Sequence, residues 1–265
     1  MNKKLIIILS LIAIGVILNI TLIVLRRPKE KEEVTPTISP ELQVVLEKKE
    51  KECLERFDFN QVIREGVIYY SQESMENLIQ YLECQAAIKQ NPFQCNLLKN
   101  ISPDIAKNCQ RLFYLFPNFL GRIIKNKKCE AGEIEACKKA ISNSGDPALE
   151  AWCQKFCLAI LERDFYRCSE GGDEDFKAWC LAMLSGDEKY CNFYNSQEKR
   201  MYCQSQARYY KALIDNEESK CNQIEHPHIK MYCQLFFREN PTSFCQEKFE
   251  KFKTKYCHRK VWGRD

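Results

Sequence analysis

Histidine is almost missing from this 265-residue chain: His226, His228 and His258 are its full complement. A Ser-His-Asp or Cys-His centre needs an imidazole placed among partner side chains, and these three lie near expected bends or the C-terminus. Glycine is scarce as well, nine residues in all, and no Gly-rich phosphate loop is formed. None of the sixteen cysteines form a Cys-x-x-Cys pair, the usual signature of thiol redox catalysis at a helix start. Sustained apolar–polar alternation is also absent. Val67-Ile68-Tyr69-Tyr70 is the most strand-like run, and one short run cannot make a sheet. Acidic clusters such as Asp173-Glu174-Asp175 and Glu217-Glu218 lack the Asp-x-Asp-x-Asp-Gly order of a calcium loop, so they are expected as solvated caps.

Charge is missing altogether from residues 5–25, a run of 21 rich in Leu, Ile and Val. At 1.5 Å per residue such a helix spans roughly 30 Å, the thickness of a bilayer's hydrocarbon core. A signal peptide has a shorter apolar region followed by a small-residue cleavage site, whereas this run ends in Val24-Leu25-Arg26-Arg27. Residues 1–27 are therefore expected to be an uncleaved anchor contacting lipid through residues 5–25. Residues 28–40 carry three prolines and many charges and are expected as an exposed tether. Residues 41–265 form the cysteine-rich domain.

Flanking charges orient this anchor only weakly. The cysteines decide it: an even number at regular spacing, none in the anchor, fits an oxidising compartment. The expected arrangement is single-pass, with the N-terminus cytoplasmic and the C-terminal domain extracytoplasmic. The net charge of +4 is accounted for by Lys3, Lys4, Arg26 and Arg27, which leaves residues 28–265 neutral. A nucleic-acid partner, which calls for a basic excess, is not expected. Within the domain the balance runs +1 over residues 28–128, −7 over 129–188 and +6 over 189–265. The basic stretch 248–260, interleaved with Phe249, Phe252 and Tyr256, is either a solvated helix face or a contact for anionic lipid, polymer or another copy.

The cysteine-rich domain is repetitive. One box ends in an aromatic residue and cysteine: Trp152-Cys153, Trp179-Cys180, Tyr202-Cys203 and Tyr232-Cys233, with Tyr256-Cys257 a looser copy. A second box begins with Asp or Asn and reaches cysteine four or five residues later, as from Asn91 to Cys95, Asp164 to Cys168, Asp187 to Cys191, Asn216 to Cys221 and Asn240 to Cys245. Asp or Asn before proline is a helix-start signal. Ser39-Pro40-Glu41 gives the same signal for an earlier helix carrying Val44, Val45, Leu46 and Leu54. Residues 71–90 form another, lined on one face by Met75, Leu78, Ile79, Leu82 and Ala86. Each repeat is thus expected to be a pair of short helices, and the pairs to stack in an array.

Cys168 and Cys180, Cys191 and Cys203, Cys221 and Cys233, and Cys245 and Cys257 are each twelve apart, while the gaps between pairs vary. Gly171-Gly172 and Pro227 stand midway in two of these segments, so the paired cysteines face each other across a bend. These four bridges are expected, with Cys95 to Cys109 and Cys137 to Cys153 as looser versions. Cys53, Cys84, Cys129 and Cys157 are left without an assigned partner. The aromatics before the cysteines are expected to pack as core.

One metal-binding candidate stands out. Cys221, His226, His228 and Cys233 are symmetric in sequence and of a type that binds zinc. The Cys191 to Cys203 segment has the same spacing without histidine, however, so the cysteine pairing does not depend on a metal. No cofactor is expected.

Paired helices with boxed small and aromatic residues, over roughly residues 74–257, loosely resemble tetratricopeptide and Sel1-like repeats and their cysteine-rich relatives. In those relatives cysteines close a shorter loop within one repeat, a spacing matched here only by Cys129 and Cys137. The resemblance implies protein or peptide binding on a solenoid surface. The expectation is an all-α, disulfide-stapled, membrane-tethered interaction module whose partner is an unidentified extracytoplasmic protein. The alternatives are a metal-binding or thiol-redox protein using the Cys221/His226/His228/Cys233 loop, and an enzyme of unrecognised type.

Overall fold

The computed structural model describes residues 39–65, 72–141, 147–169 and 174–263. The anchor at residues 5–25 and the tether up to residue 38 lie outside them. Among the described residues the chain is all helix and turn, and no helix is long and apolar enough to cross a membrane. Residues up to Val45 form one unit and Leu46–Asp265 a second, compact one.

Helix α1 (Pro40–Glu55) starts where Ser39 accepts a hydrogen bond from the Leu42 amide at 3.3 Å, with proline at its first position. Of its apolar residues only the C-terminal ones, Cys53 and Leu54, pack against the core. Leu42, Val44 and Val45 are exposed, and no residue of the helix is buried. Asp58 caps α2 (Phe59–Glu65), and α3 (Gln72–Ile88) buries Leu78, Leu82 and Ala86.

Four of the five boxes that open with Asp or Asn cap a helical segment, while Asn216 instead ends the helix before it in a left-handed conformation; three of the five segments are 3₁₀ rather than α-helix. Asn91 caps a 3₁₀ segment, Pro92–Asn100, and Asp187 caps another, Glu188–Phe193; a third, Glu218–Gln223, comes after Glu217. The remaining α-helices are α4 (Pro103–Phe113), α5 (Gly121–Asn126), α6 (Ala131–Ile141), α7 (Pro147–Glu162), α8 (Phe165–Ser169), α9 (Glu174–Ser185), α10 (Gln197–Asp215), α11 (Pro227–Phe237) and α12 (Pro241–Trp262).

A π-helical stretch, Tyr114–Leu120, joins α4 to α5 around Pro117. Proline has no N–H to donate to the Phe113 carbonyl, four residues back. The buried Asn118 side chain takes over that role, donating to the Phe113 oxygen at 3.0 Å. The helix therefore continues through a proline without a buried carbonyl left bare.

All sixteen cysteines are joined in eight disulfides. This fits an oxidising environment. Cys168–Cys180, Cys191–Cys203 and Cys221–Cys233 clip successive elements across their bends, as do Cys95–Cys109 and Cys137–Cys153. Cys129 joins Cys157 rather than Cys137. The fourth expected clip is wrong. Cys245 and Cys257 both sit on α12, and nothing between them breaks the helix, so twelve residues separate them by about 18 Å along the axis. Cys245 instead joins Cys84, and Cys257 joins Cys53.

Those two bridges change the architecture of the compact unit. An open stacked array keeps its first and last repeats apart, but here α12 lies along α3. One core cluster gathers Val62, Ile63, Leu78, Leu82 and Phe113 from the early helices with Phe252 and Tyr256 from α12. A second, larger cluster reaches from Cys84 and Ala87 on α3 to Phe244 and Cys245 on α12, around Phe116, Phe119, Phe156 and Tyr209. The last helix closes the unit onto its beginning.

Candidate functional site

The repeated aromatic–cysteine box places rings at equivalent points on α7, α9, α10 and α11. Their fates differ. Tyr232 and Tyr256 are buried, as expected of core residues. Trp152, Trp179 and Tyr202 are only half-buried, and they line a cleft of about 770 Å³. Leu115, Ala140, Ile141, Phe176, Tyr194 and Met201 add to its apolar lining.

The wall of the cleft is a cluster of rings. Trp152 and Trp179 are parallel, with centroids 6.4 Å apart and planes 1° from each other. Phe176 lies 4.4 Å from Trp152, and the buried Phe156 lies 4.6 Å from Trp179. Most polar edges of this wall are already engaged. The Trp179 indole N–H donates to the Gln206 side-chain oxygen, the Tyr194 hydroxyl donates to the Asp175 carbonyl at 2.8 Å, and Arg111 donates to the Tyr202 hydroxyl at 3.5 Å. The Arg111 guanidinium also lies 5.5 Å from the centre of the Tyr202 ring, a cation–π contact. Charge is confined to the rim, where exposed Arg111 and Lys199 are met by exposed Asp175 and Glu198.

His226 closes one end of the cleft. Its backbone N–H donates to Ser205 at 3.1 Å, and its ring stands edge-on to Tyr202 at 5.4 Å. Burial, the neighbouring His228 and Arg111 push its imidazole down to about 4, so it is neutral near pH 7. His228, 5.5 Å away ring to ring, is the opposite case. Its Nδ1 lies 2.8 Å from the fully buried Glu83 carboxylate, and its Nε2 lies 3.7 Å from Glu76. Burial opposes its charge most strongly, yet the two carboxylates together outweigh burial and push it up to about 9. Burial raises Glu83 in turn, and the His228 proton partly offsets this.

The candidate zinc set does not assemble. Cys221 and Cys233 are bonded to each other, which leaves neither as a thiolate ligand. His226 faces the cleft, and His228 is held between carboxylates. No free thiol is left for the redox alternative either. His258 is elsewhere, stacked on Trp262 at 5.6 Å beside Glu50 on α1. The basic stretch 248–260 forms much of α12. Part of it is neutralised, with Lys251 paired to Glu247 and Lys255 to Glu73.

Sequence reasoning favoured core packing of the box aromatics over ligand binding; Trp152, Trp179 and Tyr202 do pack against the core cluster, but the cleft that they line was not foreseen. The available signal was the box itself. The same ring position on neighbouring helices brings Trp152 and Trp179 together, and three of the five copies are only partly covered.

No protein-family model matches this chain, and no curated protein or solved structure matches it significantly.

Proposed function

We propose that this chain is a binding module held outside the cytosol by its N-terminal anchor, and that the aromatic cleft is where it engages its partner. The observation that carries this reading is the half-exposed Trp152–Phe176–Trp179 wall, with its charged rim. Aromatic rings supply large contact area at low entropic cost and dominate the energetics of interfaces. A fold stapled by eight disulfides keeps such a wall organised before the partner arrives, which reduces the ordering cost of binding. The uncharged run 5–25 supports the anchoring, and the disulfides support the oxidising side of the membrane.

Site-specific photocrosslinking in native membranes tests this. A crosslinker at Ser196 on the cleft rim should capture a discrete partner, and one at exposed Glu250 on α12 should not. Adding Trp152→Ala to the Ser196 probe should abolish capture. Equal capture from both positions, or capture indifferent to Trp152, would overturn the reading.

A further inference from the structure

A second pocket, of about 360 Å³, lies where the first and last helices of the closed unit meet. Its walls are Ile88 at the end of α3, Pro117 of the π-helical stretch, Leu235 and Phe236 of α11 and Pro241 of α12. Tyr209 and Tyr232, both buried, form its floor. Neither offers a hydroxyl to a ligand: Tyr209 donates to the Phe116 carbonyl at 3.3 Å, and the Tyr232 oxygen is closed off from solvent. Gly121 completes the floor with an ordinary helical φ of −62°. Glycine weakens a helix relative to alanine, and here it keeps space open. A methyl group would meet the Phe116 carbonyl at 3.1 Å and lie 3.7 Å from both Phe236 and the Tyr209 hydroxyl. The pocket shares no lining residue with the aromatic cleft.

The rim carries charge of one sign. Arg122 and Lys125 are both exposed, and among the described residues no carboxylate lines the pocket. The buried Glu133 lies 3.0 Å from the Arg122 Nε and offsets one of the two charges, whereas Lys125 has no ion pair among the described residues. One positive charge is left, which a carboxylate matches and a phosphate monoester, at nearly two negative charges, exceeds. Other polar partners are scarce. Gln90 turns its amide N–H back to the Ala87 carbonyl at 2.7 Å, and the two wall prolines have no N–H. A peptide or sugar would therefore bring polar groups that find no partner, at a cost in affinity. A ligand polar only at one negative end leaves nothing unpaired.

We infer that this pocket binds a small amphiphilic carboxylate, an apolar ring or chain ending in one negative charge. The apolar part lies against Ile88, Leu235 and Phe236, and the carboxylate meets Lys125 and the outer nitrogens of Arg122. A cavity of roughly 150 Å³ holds one benzene, so this one has room for a ring and its alkyl chain.

Calorimetric titration of the full-length, disulfide-intact chain in phosphatidylcholine nanodiscs with 4-phenylbutyrate tests this, with empty discs subtracted. The controls are 4-phenylbutan-1-ol, 4-phenylbutylamine and an acetyl-Ala-Ala-Phe peptide with a free carboxylate. The acid should bind about fivefold tighter than each control, the upper range for a solvent-exposed ion pair. Lys125→Glu changes an exposed, unpaired side chain, and it should weaken the acid about fivefold while strengthening the amine. Gly121→Ala, checked for retained helicity and resistance to alkylation, should weaken acid and alcohol by the same factor. Equal binding of acid and alcohol, or acid binding indifferent to Lys125→Glu, would overturn the charge assignment. A peptide that binds tighter than the acid overturns the small amphiphile, and no binding by any of the four overturns the site. Partner capture at Ser196 is independent of every one of these results.

Discussion

Glu83 has no exposed surface, and a carboxylate so placed survives only beside a positive charge or as the neutral acid. His228 supplies the charge, and this fixes the sign of its effect on stability. A histidine held at about 9, against an ordinary 6.5, contributes stability that is fully present below pH 6.5 and is lost as pH rises through about 9. At about 1.4 kcal/mol per pH unit this window is worth on the order of 3 kcal/mol. His226, held near 4, acts in the opposite direction: its contribution is present above pH 6.5 and is lost as pH falls towards 4. Thermal unfolding followed by circular dichroism should show the midpoint declining between pH 6.5 and 9. In His228→Gln that alkaline decline should flatten, and the midpoint at pH 6.5 should drop. An unchanged alkaline slope in the variant would mean that the buried pair does not carry it. None of this was legible in the sequence, where His226 and His228 stood out only as metal-binding candidates with Cys221 and Cys233. Glu83 lies 145 residues from His228, and no local pattern announces such a contact.

At the level of elements, the helix starts and the short-range clips were the most legible features. Ser39, Asn91, Asp164, Asp187 and Asn240 each cap the helical segment that begins at the next residue, whereas Asn216 ends α10 instead of starting the next segment. Five bridges at spacings of 12 to 16 were readable because a breaker or cap lies between the cysteines. The error at Cys245 and Cys257 has the same physical basis. The eleven residues between them contain no glycine, proline or Asn, and several are good helix formers, so the segment stays straight. Equal spacing was weighed and the missing breaker was not. Chain entropy sets what the resulting long-range bridge contributes. With the Cys84–Cys245 bridge intact, breaking Cys53–Cys257 opens a loop of roughly 45 residues, worth about 4 kcal/mol against about 3 for a twelve-residue clip. Paired Cys53→Ser and Cys257→Ser substitutions should therefore cost about 1 kcal/mol more than paired Cys191→Ser and Cys203→Ser. Hydrogen exchange should accelerate in the second half of α1 while α9 and α10 stay protected. Equal losses with exchange spread over the whole unit would contradict this assignment of the two bridges.

Closure of the compact unit is the feature that sequence periodicity concealed. Boxes recurring every 23 to 30 residues suggested an open array, because periodicity records local units and says nothing about where the ends meet. The ends meet through α12, which covers α3 with Phe252 and Tyr256, while Phe57 packs edge-on to Phe249, Phe252 and Tyr256 at 5.7–6.1 Å. The consequences of losing the last element then differ sharply between the two architectures. An open array shortened by one repeat loses a single interface and keeps its far end intact. In a closed unit, removing residues 241–265 bares Leu78, Leu82, Phe113 and Val62 and strands Cys53 and Cys84 without partners. Fully burying each such side chain is worth about 1.5–3 kcal/mol, so their combined exposure rivals the stability of a typical domain. A chain ending at Asn240 should lose exchange protection in α3, more than 150 residues from the cut in sequence, and should expose two thiols to alkylation. The three clips from Cys168 to Cys233 should stay oxidised. If α3 kept full protection in that truncated chain, the unit would be behaving as an open array, and the contact between its first and last helices would contribute little to holding it together.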